Sequence, residues 1–249
     1  MIDTVLQSKI LTASFRSDPD VTLDTDFVDA LHEVLDEVEQ TEIRVLVLRS
    51  DRKSFCAGAD SARLRAWIAS PDGDALANDD QRWDALFSRI ETLPIPVIAE
   101  IDGAALGAGL GLTLACDIRV VSQDAALGAP EARFGLLPAG GTIRRLLRET
   151  GPATARDLLL CGKILKGEAA CAAGLADHCL PAVGLRDAVR TRTSAIAALD
   201  PVPVAAAKKM IRLAATPEDD SRVLRDLIAR PAAQQALTAL IDRVAPSSS

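Results

Sequence analysis

Glu131 is the one carboxylate in a segment rich in apolar residues and glycine, residues 127–147. A lone acid in such surroundings is either a cap for nearby backbone amides or a general base with a raised pKa. Two turns of small residues, FCAGAD at 55–60 and DGAALGAGLG at 102–111, follow strand-like runs and can present bare backbone N–H groups to a ligand oxygen. Two amide donors and one carboxylate are together suited to forming an enolate and moving its proton.

Each turn also has a purely structural interpretation. A stretch of glycine and alanine before a helix, as at Gly107, exposes N–H groups to a ligand, but it is equally typical of a tight helix–strand crossing. The turn at 55–60 can be an ordinary loop that Asp60 closes with its side chain. An oxyanion site needs two convergent donors, so the two turns together favour the chemical interpretation.

Composition limits the classes of function. The 249 residues suffice for one domain with a large core plus an appendage. The net charge of −7 argues against a nonspecific surface for nucleic acid or anionic membrane, and no apolar run is long enough for a transmembrane helix. The first residues lack the basic-then-apolar order of a signal peptide, and the five scattered cysteines form no C-x-x-C pair, so a cytoplasmic location is predicted. With two histidines, no tyrosine and no zinc-type spacing, neither a metal site nor a Ser-His or Cys-His catalytic pair is expected.

The elements that must position these segments alternate in an α/β pattern. Apolar residues at helical spacing follow Asp24 or Thr25, either of which can cap a first helix. The polar, acidic stretch 71–84 is predicted to be a flexible surface connection, and residues 246–249 a frayed tail. Strands are predicted at 4–15 (one or two), 43–48, 97–101 and 118–121. Helices are predicted at 107–115, 153–161, 167–173, 185–199, 203–215, 218–229 and 232–244.

Three blocks of the sequence, in matching order and spacing, resemble the crotonase, or enoyl-CoA hydratase/isomerase, superfamily. They are FCAGAD at 55–60, GAALGAGLGLTLACDIRVV at 103–121 and GAPEARFGLLPAGGTIRRL at 128–146. Two later segments, 174–181 and 205–214, resemble it more weakly. Because three motifs in register rarely coincide, the resemblance is specific.

The resemblance implies an α/β fold built as a spiral of ββα units, with a helical C-terminal trimerisation region. We predict a core at residues 1–194 and the helical region at 195–249. The resemblance also implies an acyl-CoA thioester as substrate, no separate cofactor, and two backbone amides, those of Ala59 and Ala108, around the thioester oxygen. Glu131 matches the glutamate of the family's Pro-Glu motif. The other predicted substrate contacts lie in the same blocks: Ala57, Gly58, Asp60, Gly107, Gly111, Pro130 and Leu136.

The second acid that hydratases of this family use is missing, because its position is occupied here by Gly111. Adding water to a double bond requires a base for the water and an acid for the carbon, whereas one carboxylate can carry a proton between two carbons. We therefore predict an enoyl-CoA isomerase of fatty acid metabolism, with Glu131 as the proton shuttle. The alternatives are an enoyl-CoA hydratase (a lyase), a decarboxylase or C–C bond enzyme, a silent binder of acyl-CoA or carrier protein, and a structural subunit of a larger complex.

Other departures from the family concern how substrate and neighbouring subunits are bound. A basic residue that commonly follows the Ala-Asp pair is replaced by Ser61 and Ala62, with Arg63 and Arg65 either near a phosphate or on a solvated helix face. These changes leave room for an acyl-carrier protein as an alternative to CoA. Apolar faces of the C-terminal helices would be large exposed patches on a monomer, so a homotrimer or dimer of trimers is expected. Three arginines after the glycine-rich turn are predicted to face an interface or a phosphate: Arg144, Arg145 and Arg148.

Overall fold

The computed structural model describes residues 1–17, 20–70, 72–214 and 216–244. Two compact units make up the chain, Met1–Leu199 and Asp200–Ser249. The division predicted after residue 194 falls within the helix Ala182–Ala197, which belongs wholly to the first unit.

The described part of the chain contains ten strands, ten α-helices and one 3₁₀ helix. The strands are β1 (Ile2–Gln7), β2 (Ile10–Phe15), β3 (Val45–Ser50), β4 (Ser54–Cys56), β5 (Val97–Ile101), β6 (Ala104–Leu106), β7 (Ile118–Ser122), β8 (Ala126–Gly128), β9 (Ile164–Lys166) and β10 (His178–Leu180). The helices of the first unit are α1 (Thr25–Gln40), α2 (Ser61–Ile68), α3 (Asp74–Thr92), α4 (Ala108–Leu114), the 3₁₀ helix (Pro130–Phe134), α5 (Thr142–Leu160), α6 (Gly167–Ala172) and α7 (Ala182–Ala197). Those of the second unit are α8 (Pro201–Leu213), α9 (Pro217–Ile228) and α10 (Pro231–Val244).

The first unit is built as a repeat of two strands followed by helix. In three successive repeats, one strand joins a six-stranded sheet and the next, shorter strand joins a four-stranded sheet. The strand order is β1-β2-β3-β5-β7-β10 in the larger sheet and β4-β6-β8-β9 in the smaller one. From β2 to β10 the larger sheet is parallel, whereas β1 forms an antiparallel hairpin with β2. The predicted α/β spiral of ββα units is therefore confirmed.

Hydrophobic packing holds the helices against both faces of the larger sheet. The predicted cap of α1 is present, since Asp24 Oδ1 accepts a hydrogen bond of 2.7 Å from the Phe27 N–H. Phe27 in turn meets Phe15 of β2 edge to face, with 4.9 Å between the ring centroids. On the other face, Leu185 and Val189 of α7 pack against strands β3, β5 and β7. Close packing on both sides makes the sheet a rigid base for the loops at its strand ends.

The segment predicted as a flexible connection is helical. Residues 74–84 belong to α3, while Pro71 lies outside the described residues. The prediction was wrong because the acidic composition concealed an apolar stripe, of which Trp83 and Phe87 are buried one turn apart. Helix α3 is therefore a packed element of the first unit.

Helix α5 is longer than predicted. It begins at Thr142 instead of residue 153 and is interrupted at Gly151, where φ is 72°. The Gly151-Pro152 pair gives the signal of a helix break, and this hid the first half of the helix. As a result, the glycine-rich turn before Thr142 leads directly into a helix.

All five cysteines are free thiols, and two of them, Cys56 and Cys116, are buried. Among the described residues, no helix is both long enough and apolar enough to cross a lipid bilayer. The same residues contain no group of three His, Cys, Asp or Glu side chains that could hold a metal ion. The predicted tail at 246–249, and residue 215 at the end of one predicted helix, lie outside the described residues.

Helices α8, α9 and α10 form the second unit, and each begins at a proline. An ion pair of 2.8 Å joins Arg230 to Asp200, and Thr216 forms a capping box with Asp219 at the start of α9. Large apolar side chains that stay exposed on these helices are Val202, Ile211, Leu213, Leu224, Ile228, Leu237, Leu240 and Ile241. Trimerisation through this region stays a prediction.

Candidate active site

The smaller sheet brings the three chemical segments together. Strands β4, β6 and β8 are adjacent and parallel, so their carboxyl ends lie along one edge. The turn at residues 57–60 follows β4, Gly107 follows β6, and the 3₁₀ helix Pro130–Phe134 follows β8. Because neighbouring strands are roughly 4.8 Å apart, segments that are distant in sequence form one site here.

The two small-residue turns are packed backbone against backbone. A β-carbon built on Gly58, where φ is 89°, would lie 3.1 Å from Leu106 O and 3.8 Å from Ala108 N. A β-carbon built on Gly109 would lie only 2.1 Å from Cys56 O. Glycine is therefore required at both positions for the turns to approach this closely.

Two backbone N–H groups at these turns are available to a ligand. Neither the Ala59 N–H nor the Ala108 N–H donates a hydrogen bond to another residue that the structure describes. Ala108 is the first residue of α4 and is 4% exposed, and Ala59 is half-buried. An unpaired N–H removed from water gains from an incoming acceptor, so both positions favour an oxygen ligand. These are the amides predicted for the oxyanion hole, and that role stays a prediction.

The first turn is fixed by hydrogen bonds on both sides. The Leu23 N–H donates to Gly58 O at 2.9 Å. On the other side, Asp60 Oδ1 accepts from the Arg63 N–H at 2.7 Å and so caps α2. The side chain of Asp60 is therefore occupied in closing the turn, the structural role that the sequence left open.

The carboxylate of Glu131 lies against the second turn. A β-carbon built on Gly107 would be 2.0 Å from Glu131 Oε1, so a side chain at Gly107 would displace this carboxylate. Glu131 Oε2 is buried and has no hydrogen-bond partner among the described residues. Burial raises the pKa of the Glu131 carboxyl above its ordinary value of 4.5, against the opposing effect of its own backbone N–H. A carboxylate in this setting is a stronger base than one in water.

The space beside Gly111, where the second glutamate of hydratases would extend, is filled. A β-carbon built on Gly111 would lie 2.3 Å from Thr142 Oγ1 and 3.0 Å from Phe87 Cε2. Both side chains are fully buried, and Thr142 Oγ1 donates to Ala139 O at 2.6 Å. These two side chains thus close the direction in which a side chain at residue 111 would extend, and the contact of Gly111 with the substrate stays a prediction. This filling could not be predicted, because Phe87 and Thr142 are far from Gly111 along the chain and no local pattern links the three residues.

The remaining predicted contacts lie at the rim of the site. Ala57 is exposed and Pro130 is half-buried. Leu136 is 37% exposed, and its neighbours Phe134 and Leu137 are 76% and 67% exposed. These three apolar side chains next to the carboxylate segment are suited to contact with a hydrocarbon chain. Of these three residues, only Leu136 was predicted to contact the substrate.

Arg145 differs most from its predicted place. Its side chain is fully buried and pairs with Asp84 at 2.9 Å and with Glu91 at 2.8 Å, both on α3. Arg144 pairs with Asp84, and Arg148 pairs with Glu91 at 2.8 Å. The prediction that Arg145 faces an interface or a phosphate is therefore wrong. The seven-residue spacing of the two acids, which places them on one helix face, was the available signal.

A cavity of about 420 Å³ lies elsewhere, between α7 and strands β1 to β3. Arg49, Glu100 and Arg186 line it, and none of the predicted site residues does. Its charged groups face one another, as in the 3.7 Å approach of Arg186 Nε to Glu100 Oε1. The amide and carboxylate chemistry described above thus belongs to the edge of the smaller sheet and not to this cavity.

Known proteins resemble the chain over most of its length. A family model described as enoyl-CoA hydratase/isomerase matches residues 7–236. The fatty acid oxidation complex subunit alpha of Shewanella halifaxensis is 42% identical over 185 residues, which are 72% of this chain and 26% of that protein. The chain thus spans about a quarter of the length of the curated relatives it matches.

Solved structures share the fold. The crystal structure of an enoyl-CoA hydratase from Bacillus anthracis is 25% identical with a TM-score of 0.88, and the match covers 98% of this chain and 97% of that one. An enoyl-CoA hydratase/isomerase family protein from Silicibacter pomeroyi is 26% identical with a TM-score of 0.84, covering 93% of this chain and 100% of that one. The spiral of ββα units is therefore the fold of these proteins.

Proposed function

Since the chain belongs to the enoyl-CoA hydratase/isomerase family, we propose that it is an enoyl-CoA isomerase that relocates a double bond with Glu131 as its single acid–base group. The observation that carries this proposal is the filled space beside Gly111. Thr142 and Phe87 occupy the place of a second carboxylate, and the Thr142 hydroxyl is already bonded to Ala139 O. Moving a proton between two carbons needs one acid–base carboxylate, whereas adding water to a double bond needs two.

The reaction follows from the charges at the site. In a 3-enoyl thioester, Glu131 removes a proton from C2, and the electron pair of that C–H bond forms a dienolate whose charge rests on the thioester oxygen. The Ala59 and Ala108 N–H groups donate to that oxygen, and each such donor stabilises the transition state by about 3–4 kcal/mol. Glu131 then returns the proton to C4, so the double bond ends between C2 and C3 and no atom is gained or lost.

The site's surroundings support this role for Glu131. Its carboxylate is buried against Gly107, and one oxygen is unpaired within the described residues. A poorly solvated carboxylate is a stronger base. Burial also keeps water from protonating the dienolate in place of Glu131. The apolar rim at Phe134, Leu136 and Leu137 is suited to the acyl chain.

Turnover of purified protein on 3-enoyl-CoA and 2-enoyl-CoA, followed by absorbance and mass spectrometry, tests the proposal. We expect conversion of the 3-enoyl substrate without gain of a water, reduced roughly 100-fold or more in Glu131→Gln. Glu33→Gln, an exposed glutamate on α1, is the matched control and should keep full activity.

Rapid hydration of 2-enoyl-CoA would instead assign a hydratase. Binding of acyl-CoA without turnover of either substrate would assign a silent binder, and comparing acyl-CoA with an acyl-carrier protein identifies the carrier.

Hydration is the second candidate, because the Bacillus anthracis structure is that of a hydratase. Gly111→Glu tests the steric argument against a hydratase. With Thr142 Oγ1 at 2.3 Å from the new β-carbon, we expect this variant to melt at a lower temperature and not to hydrate 2-enoyl-CoA. A variant that keeps the wild-type melting temperature and gains hydratase activity would contradict the steric argument.

A further inference from the structure

Two consecutive acids of α3 bind two different parts of the site. Asp79 is 5% exposed and accepts hydrogen bonds from Trp67 Nε1 at 2.8 Å and from Arg63 Nη1 at 3.2 Å, both on α2. Asp80 Oδ1 accepts from the Gly140 N–H at 2.7 Å. The Arg63 guanidinium is therefore bound within the protein, although 29% of its side chain stays exposed.

Helix α2 is bonded to Asp79 through two of its side chains. None of its eight residues, all within the described part of the chain, is buried. The helix is attached by the partly buried Trp67, which packs against the core with its ring centroid 5.9 Å from that of Trp83, and by the bonds of Trp67 and Arg63 to Asp79. Arg63 also donates to Thr25 Oγ1 at the start of α1.

The Ala59 amide is coupled to this attachment through the chain itself. Ala59 directly precedes Asp60, the residue that caps α2. The Ala59 N–H and the Gly58 carbonyl belong to one planar peptide unit, which Leu23 holds at the carbonyl oxygen. A shift or rotation of α2 moves the other end of this unit, at the α-carbon of Ala59, and so acts on the orientation of the N–H against the bond to Leu23. Displacements of about 1 Å at a catalytic group are enough to lower a rate by roughly 100-fold.

The Gly140 turn is held on both sides of its peptide unit. The Gly140 N–H donates to Asp80, and Gly140 O accepts from Arg145 Nη1 at 2.7 Å. A β-carbon on Gly140 would lie 2.7 Å from Phe87 Cε2, so the turn is also pressed against α3. Thr142, two residues later, fills the space beside Gly111.

We propose that Asp79 and Asp80 are positioning residues: Asp79 orients the Ala59 amide through α2, and Asp80 holds the turn that places Thr142. Neither residue needs to touch the reacting atoms. One helix thereby sets the distance between an oxyanion donor and the wall of the site. The catalytic part of this inference rests on the proposed isomerase function, whereas the structural coupling can be measured without a substrate.

The experiment compares Asp79→Ala, Asp79→Asn, Asp80→Ala and Asp80→Asn with Asp74→Ala, an exposed acid in the first turn of the same helix. Hydrogen exchange of the free protein should speed up at residues 59–68 in Asp79→Ala and at 139–142 in Asp80→Ala, each without the other.

On 3-enoyl-CoA, Asp79→Ala should lower kcat roughly 10- to 100-fold with little change in KM. Unlike Asp80→Ala, Asp80→Asn should keep wild-type exchange and kcat, because the amide oxygen of asparagine can accept from the Gly140 N–H as the carboxylate does. Asp79→Asn should be intermediate, since it keeps an acceptor for Trp67 but loses the charge that Arg63 pairs with.

Three results would overturn the proposal. Exchange that rises uniformly, with Asp80→Asn failing to restore it, would show that the acids only stabilise the fold. A kcat equal to that of Asp74→Ala in all four variants would show that the site does not depend on them. If Asp79→Ala does not fold, wild-type exchange and kcat in Asp79→Asn would be enough to reject the role of its charge. Failure of wild-type protein to convert 3-enoyl-CoA would reject the isomerase function alone, and the exchange pattern would still decide the coupling.

Discussion

Burial of Glu131 has opposite effects on catalysis and on the stability of the fold. Its carboxylate is buried beside Gly107, and one oxygen has no partner among the described residues. Burial of this kind raises the free energy of the charged form, which makes the group a better base and a worse contributor to stability. Both consequences can be measured.

The pH dependence of catalysis should follow the ionisation of Glu131. Because burial raises the pKa of this carboxyl above 4.5, the base form is lost at a higher pH than for an exposed glutamate. We expect kcat/KM on 3-enoyl-CoA to fall as the pH is lowered through that raised pKa, with the midpoint above 4.5. A midpoint at or below 4.5 would mean that Glu131 is solvated in the free enzyme.

Stability should respond to pH with the opposite sign. A carboxyl whose pKa is raised on folding favours the folded state at pH values below its unfolded pKa, and that contribution disappears as the pH rises through the folded pKa. Glu131→Gln should therefore melt at a higher temperature than wild type at pH 7, with a smaller difference at pH near 4. An equal difference at both pH values would show that ionisation of Glu131 is not the cause.

At the scale of elements, the site is defined by the ends of three short parallel strands and by α3. Strands β4, β6 and β8 have three residues each, which is too short for periodicity in the sequence to identify. The longer strands β3, β5 and β7 were predicted, because continuous runs of apolar residues are typical of strands buried on both faces. Helix α3 was missed because its acids suggested a solvated loop, although arginines of α2 and α5 neutralise several of them.

The close approach of α4 to β4 should tolerate no side chain at Gly109. With Cys56 O at 2.1 Å from the new β-carbon, Gly109→Ala must push the two turns apart, at a cost of roughly 1–3 kcal/mol in the free energy of unfolding and with loss of activity. Gly184→Ala is the control: it lies in α7 with no atom within 4 Å, so it should be neutral or stabilise by up to about 1 kcal/mol. Urea unfolding of the two variants measures both effects, and equal stability of the two would contradict the argument from close packing.

The whole molecule consists of an α/β unit that carries the site and a helical unit that exposes apolar side chains. Eight large apolar residues are exposed in the described part of the second unit. Such a concentration is typical of surfaces that are covered in an assembly. We propose that copies of this chain cover one another there, as a trimer or a dimer of trimers.

Light scattering of the purified protein should give the mass of three or six chains. Replacing Ile211 and Leu224, which are 82% and 65% exposed, by glutamate should lower that mass to one chain, because charges cannot be buried in an apolar interface without a partner. Val183→Glu, at a side chain that is 98% exposed on α7, should leave the assembly intact. A monomeric wild-type protein would reject the proposal.

Much of the candidate site was accessible from the amino-acid sequence. The lone Glu131, the small-residue turns and the cap at Asp24 are local features, and their residue types carry the same physical meaning wherever the chain places them. The filling of the space beside Gly111 by Thr142 and Phe87, and the bond of Asp80 to Gly140, were visible only in three dimensions. These contacts join residues tens of positions apart, and they exist because the sheet order and the path of α3 bring them together; no local pattern specifies such a meeting.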